Sequence, residues 1–206
     1  MITGYNYRVI NTAVHGIING KDSLPGFDDP IDMFVDGVKV VIVQVLYLIV
    51  PMIIFFVFAL IAGHVSGVAS SALMLIGCLI TLIVGVAACL MSQMGICHMA
   101  YNDGAFSKAF AISEIKEVID EIGWFECILT YIGLIIIVIV ISVVVTALIG
   151  IIFTLFGISG AVLGADPSGV FVLGAFVNTA ISMFIVGPYL SIFASRSMGL
   201  LYTMQI

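Results

Sequence analysis

Charge is what this chain of 206 residues has least of: 9% of its residues are charged, 63% are apolar, and the mean hydropathy is +1.33. Such a composition excludes a disordered chain and a solvated coiled coil. Six Lys and Arg cannot build the basic face that a nucleic-acid binder needs, so no nucleic-acid partner is expected. Cysteine is also sparse. Cys78, Cys89, Cys97 and Cys127 form no CxxC pair and read as small apolar residues. Cys97 and His98 are neighbours, but His64 belongs to a distant turn, and no shared tetrahedral metal site is expected. Nucleophile-elbow, Walker and HExxH patterns are missing, which argues against a hydrolase, an NTPase or a metalloprotease. The chain is therefore read as noncatalytic and without a cofactor.

What is present in quantity is long apolar sequence. Four runs free of Asp, Glu, Lys and Arg extend over Val40–Ala62, Ala69–Met94, Cys127–Phe156 and Val170–Ala194. A hydrocarbon core about 30 Å thick needs about 20 apolar residues of helix, and each run meets that length. The third would be about 45 Å long and must tilt, kink or project. Backbone groups in lipid must pair within the protein, and the short alternating strands of a barrel are not seen. The expected fold is all-α, a polytopic integral membrane protein with four transmembrane helices and two cytoplasmic amphipathic segments in a single membrane domain over residues 1–206. Pro51 falls in mid-span and should kink it.

Basic residues give the expected sidedness. Arg8, Lys21 and Lys39 precede the first run, Lys108 and Lys116 lie between the second and third, and Arg196 follows the fourth. The turns Gly63–Val68 and Gly157–Gly169 carry none. The positive-inside rule then places both termini and the central loop, 97–126, in the cytoplasm of a cell-membrane protein. Of the acidic residues only Asp166 falls outside.

The lead-in, residues 1–39, contains two elements. Tyr5, Val9, Ala13 and Ile17 recur at a four-residue interval, which suits a short helix against the membrane surface or the bundle. Later, Asp29 reads as an N-cap with Pro30 at the first helical position and Asp32 in the first turn. Ile31, Phe34, Val35 and Val38 share one face there, and Gly37 marks a bend. In the central loop Ile112, Ile115, Ile119 and Ile122 form an apolar stripe opposite Glu114, Glu117, Asp120 and Glu121, and Trp124 and Tyr131 are placed as interfacial anchors. The halves share an order of Asn, Phe, amphipathic helix and two-span hairpin, starting at Asn19 and at Asn102. A duplication of that kind would be parallel rather than inverted, and the residue identity between the halves is thin.

Within the spans the polar residues are few. None is ionisable, and Gln44, Gln93 and Asn178 are the strongest hydrogen-bonding groups, read as bridges between helices.

The run Leu24-Pro25-Gly26-Phe27-Asp28-Asp29, followed by Met33 to Lys39, resembles the LPxFDD…FvdGlk signature of a family of archaeal and bacterial membrane proteins, domain of unknown function 4013. Gly187 to Leu190, Arg196 and Gly199 to Tyr202 resemble its closing pattern, and Phe110 to Trp124 its middle segment. Members generally carry a further hydrophobic segment upstream of the position of Gly4-Tyr5. The resemblance implies a polytopic membrane location and an archaeal type of source, and no activity.

The unusual residues, Phe27, Asp28, Asp29, Asp36 and Arg196, cluster outside the spans. They favour a protein that acts through its cytoplasmic face, binding a protein partner or organising the lipid bilayer around it. A competing structural reading has these acidic residues and Arg196 capping helices and pairing with one another. The functional alternative is a small permease or channel subunit working as a homo-oligomer around Gln44 and Asn178.

Overall fold

The computed structural model describes residues 1–16, 24–162 and 166–205. They form α1 (Ile2–His15), α2 (Pro30–Gly63), α3 (Val68–Tyr101), a 3-10 turn (Phe106–Phe110), α4 (Ile112–Ile122), α5 (Trp124–Val162), α6 (Ser168–Ile181), a π-helical turn (Ser182–Val186), α7 (Gly187–Tyr202) and a closing 3-10 turn (Thr203–Gln205). The fold is all-α, and no strand occurs among the described residues. α2, α3, α5 and the continuous run Ser168–Tyr202 are long and apolar enough to cross a membrane. At most 11% of the most apolar window of any of them is buried within the protein, so lipid must shield the rest. This is a multi-pass membrane protein.

The chain divides into two compact units, Met1–Ile128 with Ser195–Ile206, and Leu129–Ala194. In the first, α2 and α3 run antiparallel. Phe58 meets Gly77, Pro51 lies over Gly85, and Tyr47 reaches Gly95, where a Cβ would stand 3.4 Å from its hydroxyl. The core gathers at one end of this hairpin, around Met33, Val43, Met94, Ile96, Met99, Ile115, Ile119 and Tyr202. α1 is the wedge that organises it. Gly4 and Gly37 cross backbone to backbone: a Cβ on Gly4 would run into the Met33 carbonyl, and one on Gly37 would stand 3.0 Å from the Gly4 nitrogen. Gly37 is thus a contact point within the continuous helix α2. Val9, Ile10, Ala13 and Val14 are buried, so α1 packs into the protein, while Ile17 lies outside the described residues.

Two expected boundaries move. α2 starts at Pro30, so the amphipathic lead-in and the first span are one helix of 34 residues, and α2 stays helical through Pro51. α4 occupies the central loop as expected, but its buried side chains are Ile115, Val118 and Ile119, with Ile112 exposed.

In the second unit, Gly174 packs on Phe153 and Gly157 on the Phe171 ring, which sets α5 and α6 antiparallel. Asp166 accepts hydrogen bonds from the Ser168 amide at 3.0 Å and hydroxyl at 2.8 Å, tying the start of α6 and holding its own carboxyl below the usual range. The π-helical turn has a chemical cause. Pro188 offers no N–H and its ring crowds the carbonyl one turn earlier, so the turn widens and the Gly187 amide donates to the Ser182 carbonyl.

Candidate functional site

The extended segment 24–29 lies on α1, and three contacts hold it. The Phe27 ring stacks on Tyr5, with centroids 4.4 Å apart and planes within 6°. The Arg8 guanidinium donates to the main-chain carbonyls of Asp28 and, at 3.1 Å, Asp29. Leu24 and Pro25 share a narrow recess with Arg196 and Leu200 from α7. Four of the residues singled out in sequence therefore converge around α1. The Asp29 side chain, however, does not do what capping would require. Asp29 occupies the N-cap position with φ 52°, and its carboxylate makes no cap hydrogen bond. Its carbonyl accepts the Met33 amide at 3.1 Å as well as Arg8. Clamped by its carbonyls, the segment presents Phe27, Asp28 and Asp29 to the exterior; Phe27 is 72% exposed although one ring face is covered.

Asp36 pairs with Lys39 at 3.2 Å, one turn along α2, rather than with Arg196. Both border a polar cavity of about 490 Å³, which Tyr7, Arg8, Asp103 and Gly104 also line. Tyr7 is 5% exposed, and its hydroxyl has no hydrogen-bond partner among the described residues. Burial, then the charges of Asp36 and Asp103, push the phenol up to about 12, so at neutral pH it keeps its proton. Sequence reading missed Tyr7, Arg8 and Asp103 at this site. The only signals were a lone cation within an apolar helix and the Asn-Asp-Gly turn at 102–104, neither of which indicates what it will face.

A second polar cluster ties the loop and the C-terminal helix to α3. The His98 ring is 7% exposed, and its Nε2–H donates to Glu114 at 2.9 Å because a carboxylate only accepts. Nδ1 shares a hydrogen bond with the Tyr202 hydroxyl at 2.6 Å. Lys108 donates to both Glu114 oxygens, at 2.9 and 2.7 Å. Lys108 first, and His98 second, hold the Glu114 carboxyl below the ordinary carboxylate range. Glu114 thus pairs with His98 and Lys108 at the edge of the buried face while its side chain stays partly exposed, in place of the fully solvated acidic face that the sequence pattern suggested. The Tyr47 hydroxyl donates to the Ala109 carbonyl at 2.9 Å and the Phe110 ring stacks on Tyr47, docking the rest of the loop.

The intramembrane candidates behave differently. Gln44 and Gln93 are half-buried and make no side-chain hydrogen bond among the described residues. Asn178 is half-buried one turn before the π-helical turn, and its Oδ1 has no partner among the described residues. Among the described residues these three side chains form no hydrogen bond between helices.

A family model described as a protein of unknown function, DUF4013, matches residues 1–154. The chain belongs to this family. The DUF4013 match includes the whole of the segment 24–39 and the central loop, and stops before Gly187–Tyr202, where the likeness in sequence also extended. Nothing among curated proteins or solved structures matches the chain.

Proposed function

We propose that this protein is noncatalytic and acts through the cytoplasmic end of its first unit, with the Phe27-Asp28-Asp29 segment as the surface that a protein partner recognises. The carrying observation is the division of labour in that segment: its main chain is spent on Arg8 and α1, while an aromatic ring and two carboxylates stay outside. A preorganised exposed ring beside two carboxylates suits a partner with an apolar pocket rimmed by Lys or Arg. The cytoplasmic assignment is supported by the charges. Arg8, Lys39, Lys108, Lys116 and Arg196 all belong to the first unit, at the end of the hairpin where α2 begins and α3 ends. Partner capture from native membranes with Phe27→Ala and Asp28→Asn variants is the test. Loss of a specific partner at unchanged thermal stability is expected; equal capture by both variants and the parent overturns the reading.

A second reading, a permease or channel subunit working as an oligomer, rests on one observation: the Asn178 Oδ1, without a partner among the described residues, one turn before a π-helical turn. Solute flux into liposomes that is abolished by Asn178→Leu would favour it over the first.

A further inference from the structure

The polar cavity beside α1 has properties that the exposed Phe27-Asp28-Asp29 surface does not explain. Its volume, about 490 Å³, lies within the range of small-ligand sites. Its charges are of both signs, and two of them have no ion-pair partner among the described residues. Arg8 is held by neutral main-chain carbonyls, which engage its two terminal nitrogens without offsetting its charge. Asp103 is exposed and forms no ion pair among the described residues. Lys39 and Asp36 neutralise one another across a single helical turn. On the inner wall the buried Tyr7 hydroxyl has no acceptor among the described residues, and it lies beside Gly104, where a Cβ would stand 3.3 Å away. An orphaned buried donor is unfavourable, and a ligand oxygen would relieve it.

The geometry points to a binding site for a small zwitterion, whose phosphate or carboxylate meets Arg8 and Tyr7 and whose ammonium meets Asp103. A cation or an anion alone would leave one of the two unbalanced charges unmet. Two sources carry this chemistry, an ethanolamine phospholipid headgroup and a free amino acid. The inference does not depend on the partner-binding surface proposed above.

Isothermal titration of the purified full chain in detergent separates the sources. Glycerophosphoethanolamine and serine are the zwitterionic probes, and dimethyl phosphate and ethanolamine, each with one unit of charge, are the controls. One zwitterion is expected to bind saturably, and each control about tenfold more weakly or worse, the loss of one charge-assisted contact. Tighter binding of glycerophosphoethanolamine assigns the headgroup, and tighter binding of serine the free solute. Asp103→Asn, which suits the left-handed backbone at φ 53°, should weaken binding by about the same factor. Tyr7→Phe should weaken it by a few fold without lowering the melting temperature. Absence of saturable binding by either zwitterion, controls that bind as tightly, or an Asp103→Asn variant that binds unchanged would overturn the inference. Should that variant fail to fold, the single-charge controls on the unaltered chain decide.

Discussion

At the scale of residues, a few polar contacts tie together separate segments of the first unit. Arg8 clamps Asp28 and Asp29, and Glu114 gathers Lys108 and His98, with Tyr202 beyond. The pH dependence follows from Glu114. Its folded-state pKa is depressed, so its contribution is complete above the ordinary carboxylate range and is lost as pH falls through the depressed value. Thermal unfolding in detergent should therefore show a melting temperature that drops on acidification below that range. Glu114→Gln should melt lower than the parent at neutral pH, and its own acid limb should be flatter. An acid limb of the same slope in parent and variant would remove Glu114 from this role. None of this was legible in the sequence. The stripe of isoleucines gives the buried face of α4, but an acidic residue at the edge of that face reads equally well as solvated or inward.

Among elements, α1 shows how much depends on glycine at a crossing. Gly4 and Gly37 bring two backbones into contact, so the α1–α2 seam has no room for a methyl group. Gly4→Val should therefore destabilise the first unit by about 1–3 kcal/mol, the usual cost of overpacking, or displace α1 altogether. Limited proteolysis cutting within 1–29, together with a lowered melting temperature, is the readout. Gly133→Ala is the matching control. A Cβ there meets nothing within 4 Å, and alanine should be neutral or stabilising by up to about 1 kcal/mol through helix propensity. The two prolines inside spans draw a further contrast. α2 carries Pro51 without leaving α-helical geometry, whereas Pro188, preceded by Gly187, coincides with a π-helical turn. A Cβ at position 187 would stand 2.9 Å from the Ser182 carbonyl, so the wider turn relies on glycine there.

For the whole molecule, the decisive quantity is sidedness. With both termini inside, position 64 lies in an external turn and position 108 in the internal loop. Cysteines placed there in a background free of Cys78, Cys89, Cys97 and Cys127 should react with a membrane-impermeant maleimide differently: position 64 in sealed cells, position 108 only after permeabilisation. Labelling of position 108 in sealed cells would reverse the cytoplasmic reading and with it the partner surface at Phe27.

The sequence by itself determined the four long apolar helices and α4, because hydrophobic length and period are properties of consecutive residues, and lipid reads them without reference to the rest of the chain. It also singled out the Phe27-Asp28-Asp29 segment through its departure from the surrounding composition. Only the tertiary structure decided that this segment lies on α1, that Arg8 holds its carbonyls, that Glu114 faces His98, and that Tyr7 and Asp103 share a cavity. These pairs lie 16 or more positions apart, brought together by close packing at Gly4, Gly37 and Gly199, and no local pattern encodes which distant backbone will arrive against a glycine.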